Sequence, residues 1–470
     1  MMQRRIATAG TLLAAALSLS ACAPMPAAMP DNARAVLPAQ WSEPLAAGTE
    51  QSRAVATDWW TQLGDAQLNA LVAQALANNT DVLSAMARVQ EAQANLAFTD
   101  GARSPQVNAT LTAQAARSLA AAGPTHSRSF QPGLQASWEL DVWGRLSAQS
   151  QAASARVQAS QADRDAMALS VAATTVQTYV GLRALQTQLA ISQATVQSRA
   201  QALELAQDQV RVGYSSQLQL TQAQSEYASV QQQVQQLLWQ IDKQRSTLHL
   251  LLGQAGGDTP PAATADWQDL QLPPVPASLP SQLLQRRPDI ARAAHTLAAS
   301  DHSLSAQRAA FLPQVSLSAN VGSLLINSLD YNPLTLWGLG GSLLAPLFNG
   351  GRLHAQLDAA AAQRDQAAYA YRAAVLSAFA DVENALTGTR RLAQQSQFAT
   401  ERRDVLQQSL GFAHDRYEAG YASYLEELDA QRNLYAAQLE VVRLRQAELD
   451  NRVQLYKALG GGWSAAATHS

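Results

Sequence analysis

Glu418, Glu426, Glu427 and Asp429 crowd one short stretch, "EAGYASYLEELDAQ", at 418–431. Glu426 and Asp429 stand three apart, so on a helix their carboxylates share one face. Carboxylates held close together repel one another and favour cations. A solvated helix face is the plainer reading of the same charges. No other constellation suggests chemistry. The seven histidines (His126, His249, His295, His302, His354, His414 and His469) show no metal-ligand spacing with cysteine or acidic partners. "AGYAS" and "NGG" lack the lysine of a phosphate-cradling loop. No serine sits in Gly-x-Ser-x-Gly. The residues predict neither an enzyme nor a cofactor or metal site.

An earlier stretch, "VGYSSQLQLTQAQ" at 212–224, matches "AGYASYLEELDAQ" at 419–431 in six of thirteen positions, at an offset of 207 residues. Only the second version is acidic. Aligned with Glu418, Glu426, Glu427 and Asp429 are Arg211, Gln219, Leu220 and Gln222. The same offset relates Arg145 to Arg352, and Leu252-Gly253 to Leu459-Gly460. Upstream it becomes 208, as in Pro105-Gln106-Val107 with Pro313-Gln314-Val315 and Asp81 with Asp289. The chain therefore reads as a tandem duplication, 59–253 and 280–460, parted by a proline-rich linker at 254–279. Two copies with a period near 200 are duplicated domains rather than a solenoid.

These motifs need elements to hold them, and each copy predicts the same order. A helical stretch, 64–99 or 280–311, stops before Pro105 or Pro313, which a helix interior does not accept. Two strands follow. In "GLQASWELDVW", Leu134, Ala136, Trp138, Leu140 and Val142 alternate with polar residues, the period of a strand. "PQVNATLTAQ" and "PQVSLSANVG" alternate likewise, whereas a fourth strand around 334–347 is more uniformly apolar. Next comes a proline-free run, Arg145–Val212 or Arg352–Ala419, about 100 Å long as a helix. In the first, Ala148, Ala152, Ala155, Ala159, Ala162, Ala166, Leu169, Ala173, Val176 and Val180 recur at heptad spacing, a seam for close helix packing. Gly213 and Gly420 end these helices, because glycine adopts the positive φ that closes a helix. A return helix, 217–252 or 424–459, completes each copy.

Arg4 and Arg5, the apolar "TLLAAALSL" and the ending "LSAC" predict a signal peptide at 1–21. The ending resembles a bacterial lipobox, in which Cys22, the one cysteine of the chain, becomes the acylated first residue of the mature protein. Residues 22–58 are then a lipidated, extended N-terminal segment, and 461–470 a tail. Ala23 after the cysteine favours sorting to the outer membrane. Net charge is −3 with no block of like charge, which argues against a nucleic-acid partner. There is no run of 18 or more apolar residues to make a spanning helix. A chain without one crosses a membrane only as a closed barrel. Four strands cannot close, about eight being the minimum, but a symmetric trimer supplies twelve. The predicted class is an α+β membrane protein.

"FLPQVSLSANVG", "PLFNGGR", "RYEAGYASYLEELDAQRNLYAAQ" and the ending "LYKALGGGW" together resemble the TolC-like outer-membrane factors of tripartite efflux pumps, in their lipoprotein branch. The resemblance spans almost the whole mature chain. It implies a homotrimer with a twelve-stranded outer-membrane barrel continued by an α-helical, coiled-coil periplasmic tunnel. It further implies a tunnel that narrows at the hairpin tips, where a periplasmic adaptor and an inner-membrane RND-type pump dock. The exported cargo would be drugs or small solutes, with no catalysis and no cofactor. A duct for type I protein secretion is the nearest alternative, and a non-conducting coiled-coil lipoprotein a more distant one. In the family, Glu426 and Asp429 would form stacked acidic rings at a periplasmic gate lined by the second copy. Tyr421 matches a tyrosine that bonds to a neighbouring hairpin, where Gln219 occupies the partner position. Arg416 stands nearest to the family's tip arginine.

Overall fold

The computed structural model describes residues 30–36, 38, 40–42, 55–120, 123–256, 267–275, 283–327 and 333–463. Cys22, the segment 1–21 and residues after 463 lie outside them. Each copy builds the same series. Copy one has α1 (Ala66–Asn78), α2 (Thr80–Gly101), β1 (Gln106–Ala120), β2 (Gly123–Leu140), α3 (Arg145–Arg211) and α4 (Gln217–Leu251). Copy two has α5 (Leu283–Arg286), α6 (Pro288–Ala309), β3 (Gln314–Ile326), β4 (Leu334–Leu344), α7 (Arg352–Glu418) and α8 (Tyr424–Ala458).

The first helical stretch of each copy is broken, not continuous, and the breaks have local causes. Asn79 leaves the helix and caps the next one, its Oδ1 accepting from the N–H groups of Asp81 at 2.9 Å and Val82 at 3.3 Å. Arg287 precedes Pro288, whose ring disfavours helical geometry in the residue before it while suiting the first position of α6. Asp65 caps α1 through Gln67 and Leu68 and also accepts the Tyr179 hydroxyl. Burial, reinforced by that carboxylate, pushes the Tyr179 hydroxyl far above its ordinary range.

By its contacts the chain divides into two units, both drawing on both copies. One includes residues 88–160 and 292–373 and holds the sheet. The four strands run antiparallel in the order β1-β2-β3-β4, which leaves β1 and β4 as edges within the chain. The register aligns Ala109, Leu134, Val321 and Trp337 on one face, beside Val107, Ala136, Ala319 and Leu339. The opposite face carries Asn108, Thr110, Gln135, Ser137, Ser318 and Asn320. The uniformly apolar look of β4 comes from leucines on both faces, and pairing to β3 sets its register. At the helical end of the sheet Asp141 caps α3 through the N–H groups of Leu146 and Ser147, at 2.8 and 2.7 Å. Those bonds outweigh partial burial and hold its carboxyl below the usual range. Arg145 clasps Glu139 at 2.7 and 2.8 Å.

The other unit includes residues 55–87, 161–291 and 374–463 and holds the main core. Trp59, Leu63, Leu68, Val176, Val180, Leu248, Leu449 and Tyr456 are buried together there. Each such aliphatic side chain contributes about 1.5–3 kcal/mol on burial. Of the ten heptad residues of α3, Ala159, Ala166 and Leu169 are half-buried and the rest are buried. The stretch between the copies is more than a tether. Trp267 is buried, Leu270 is 1% exposed, and both belong to this core. Gln271 donates to Leu63 O, and Arg445 and Tyr456 donate to Leu270 O and Pro274 O.

Gly253 and Gly460, the repeated glycines, do the same job in each copy. Both have positive φ, 70° and 90°. A Cβ would lie 2.4 Å from Asn78 O at the first and 1.7 Å from Arg286 O at the second. In each copy the return helix thus ends pressed against the end of that copy's first helix.

Candidate functional site at the hairpin tips

The two tips close by one device. After α3, Gly213 donates to Val210 O and Tyr214 to Gln209 O, at 3.1 and 2.8 Å. After α7, Gly420 donates to Tyr417 O and Tyr421 to Arg416 O, at 3.0 and 2.8 Å. This paired bonding is the Schellman arrangement, and it needs the left-handed residue that glycine supplies, here at φ 80° and 75°. Ser216 and Ser423 begin the return helices; only Ser216 caps with its side chain, accepting from the Gln219 N–H.

Around these turns the two copies diverge. Glu426 and Asp429 are exposed and share one side of α8. Their counterparts Gln219 and Gln222 are half-buried. Arg416 reaches Glu426 across its own hairpin at 3.5 Å. Asp429 accepts from Asn433 one turn on, at 3.1 Å. Tyr421 is 82% exposed, and Gln219 accepts instead from Ser215 within its own tip, at 2.6 Å. Within one chain the structure therefore brings Arg416 to Glu426 and does not bring Tyr421 to Gln219.

Glu427 differs from its two acidic neighbours. It is buried, receives His414 Nδ1 at 3.0 Å and accepts from Gln431 at 3.0 Å. His414 also lies 3.3 Å from Glu418. The hydrogen bond to Glu427 leads the causes that raise the His414 pKa above its ordinary value. Leu220, the copy-one counterpart of Glu427, instead packs beside Ala206, Ala223, Tyr424 and Leu428.

Beneath this cluster lies a charged tie between the hairpins. Arg199 of α3 is 3% exposed. It bonds Gln431 of α8 and lies 4.0 Å from Glu226 of α4, which in turn binds Arg432 of α8. Burial lowers the Arg199 pKa, partly offset by Glu226, while the bond from Arg432 holds the Glu226 carboxyl below its usual range. Tyr417 and Tyr424 pack with ring centroids 5.9 Å apart and planes inclined by 58°. Sequence reasoning did not find Arg199, Glu226, His414, Gln431 or Arg432. Arg199 and Glu226 meet Gln431 and Arg432 from helices some 200 residues away, which no local spacing marks, whereas His414 lies one turn from Glu418 and meets Glu427 across its own hairpin. Among the described residues no group of His, Cys, Asp and Glu could hold a metal ion, and no helix is long and apolar enough to cross a membrane.

A duplicated set of long helical hairpins and a small antiparallel sheet with one apolar face are the elements of a channel-type outer-membrane protein. The family model described as "Outer membrane efflux protein" matches residues 71–254 and 279–461. The chain is 34% identical over 464 residues to "Pyoverdine export outer membrane protein OpmQ" of Pseudomonas aeruginosa, covering 97% of each. It is 33% identical over 407 residues to "Cation efflux system protein CusC" of Escherichia coli, covering 86% of this chain and 88% of that one. A crystal structure of CusC matches with a TM-score of 0.81 at 32% identity, covering 92% of this chain and 99% of that one. The chain belongs to the outer-membrane efflux protein family, and its place is the outer membrane.

Proposed function

We propose that three copies of this chain form the outer-membrane duct of a tripartite efflux system for drugs or small solutes, gated at the hairpin tips. The sheet carries the reading. One of its faces is apolar, the other carries hydroxyls and amides along β1 to β3, and β1 and β4 are open edges. That is the alternation of a membrane barrel, with lipid outside and water inside. Three sheets joined edge to edge close it with twelve strands. A second seam supports the trimer: Phe398, Val405 and Phe412 recur at heptad spacing on α7 and are exposed, an apolar stripe suited to a neighbouring helix. At the tips, Glu426 and Asp429 point away from the chain's own packing, so three copies would set six carboxylates around the axis. An adaptor and an inner-membrane RND-type pump would meet the duct there, and Cys22 would anchor each chain by its acyl groups. Relatives named for pyoverdine export and for cation efflux favour small cargo over protein secretion.

Planar-bilayer recording on detergent-purified protein tests the reading. The expected result is a particle of three chain masses that conducts. A monomer that conducts would refute the trimeric barrel, and a trimer that does not conduct would leave a structural lipoprotein.

A further inference from the structure

The strands carry very little charge, and their basic side chains are gathered in one place. Across β1 to β4 the only ionisable side chains are Glu139, Arg117, His126 and Arg128. Glu139 is taken up by Arg145 at the helical end of the sheet. The other three lie at the opposite end. Arg117 is directly across from His126, and Arg128 is across from Ala115. Arg117 and Arg128 are therefore diagonal neighbours, about 7–8 Å apart at their Cα atoms. All three side chains are exposed, and neither arginine is ion-paired among the described residues.

The register fixes the face they occupy. Position 117 continues the series Val107, Ala109, Leu111 and Ala113, and position 128 the series Trp138, Ala136, Leu134 and Phe130. That is the apolar face, not the hydroxyl and amide face. The height is equally defined. A tilted strand needs about 9–11 residues to cross the hydrocarbon. Counted from Gln106 on β1 and from Leu140 on β2, that length is used up before Arg117 and Arg128 are reached. Pairing of β2 to β3 ends at Ser129 with Ile326, Asn327 still bonding the backbone of Arg128, while β1 and β2 pair on to Ala120 with Gly123. The two cations thus sit where the sheet narrows from three strands to a two-stranded ribbon, beyond the length that crosses the hydrocarbon and on the face the barrel reading turns toward lipid.

Two guanidinium groups so close repel each other unless an anion lies between them. Arginine suits phosphate, because its planar fork can donate two parallel hydrogen bonds to the oxygens. Given the barrel reading above, on which this step rests, the anion at that height and on that face is a lipid headgroup. We propose that Arg117 and Arg128, with His126 beside them, form a binding site for the phosphate of an outer-leaflet lipid. Each chain carries one, so a trimer carries three around its rim.

The test is a titration of purified trimers with bisphosphorylated lipid A, read by native mass spectrometry. Arg117→Gln with Arg128→Gln should weaken retention by at least about tenfold, from the loss of charge-assisted bonds. The Lys-for-Arg pair should retain most of the binding, and dephosphorylated lipid A should bind wild-type trimers no better than the Gln variant does. Equal retention by wild type and the Gln variant would overturn the proposal. So would displacement of the lipid by an equal concentration of inorganic phosphate, which would assign the site to the free anion. Conductance of the same preparations separates the two readings. Conducting trimers that show no difference remove the lipid site and leave the duct standing, whereas non-conducting protein removes both.

Discussion

Glu426, Glu427 and Asp429 look alike in sequence, yet their surroundings give them different work. Glu426 and Asp429 are exposed on one face, the first within 3.5 Å of Arg416; buried between His414 and Gln431, Glu427 ties the two helices of its own hairpin. Changing Glu426 to Gln and Asp429 to Asn should relieve block by divalent or trivalent cations and weaken cation selectivity, with trimer assembly unchanged. Changing Gln219 and Gln222 to Ala should leave the block almost as it was. Equal effects from the two pairs would return the acids to an ordinary solvated face. Glu427 yields a separate outcome through His414. The folded-state pKa of that histidine is raised above its ordinary 6.5. The protonated form therefore stabilises the tip fully below the unfolded value, and the contribution is lost as pH rises through the folded one. Amides of the 414–424 turn should exchange faster with solvent above that point, and Glu427→Gln should lower the His414 pKa in an NMR titration. A pKa at or below 6.5 in the wild type would remove the bond as its cause.

At the scale of elements, the glycines give the sharpest contrast. Gly460→Ala places a Cβ against Arg286 O at a positive φ, so the variant should lose about 1–3 kcal/mol or more in thermal unfolding. Gly411 lies within α7 with nothing near its missing Cβ, and Gly411→Ala should gain about 0.4–1 kcal/mol. Matching melting shifts would mean that the end of α8 has room to yield. Most of the element order was legible because it depends on local pattern. Proline-free runs, heptads and Gly-Tyr turns mark the long helices, and alternation marks three strands. The breaks at Asn79 and Arg287 were also written locally, as an Asx cap and a residue before proline, but a run of helix formers on both sides hides them. The register of β4 was not legible, since leucines fall on both its faces and only pairing with β3 decides. The acidic face could be read from a spacing of three, whereas the tie from Arg199 through Glu226 to Arg432 could not. It joins three helices, and only packing assembles it.

For the whole molecule, duplication explains why one chain supplies two hairpins of different character. Copy one's tip has no acid between 211 and 222, and copy two's carries the exposed acids. The proposed acyl anchor at Cys22 belongs to the intact chain as well. Replacing Cys22 with Ser should abolish acyl labelling and processing at that position. A variant still labelled with lipid would show that the anchor lies elsewhere.

The buried stretch between the copies has a consequence for how such a gene could be rearranged. A half-gene ending near Gly256 would encode α1 to α4 but not Trp267, Leu270 or the α8 residues of the shared core, which would be left open. The second half would begin with a segment whose partners, Leu63 among them, sit on another polypeptide. Two separately expressed halves should thus be poorly soluble alone and recover only when made together. What began as the seam of a duplication now works as a ratchet, because scission at that seam no longer returns two independent proteins.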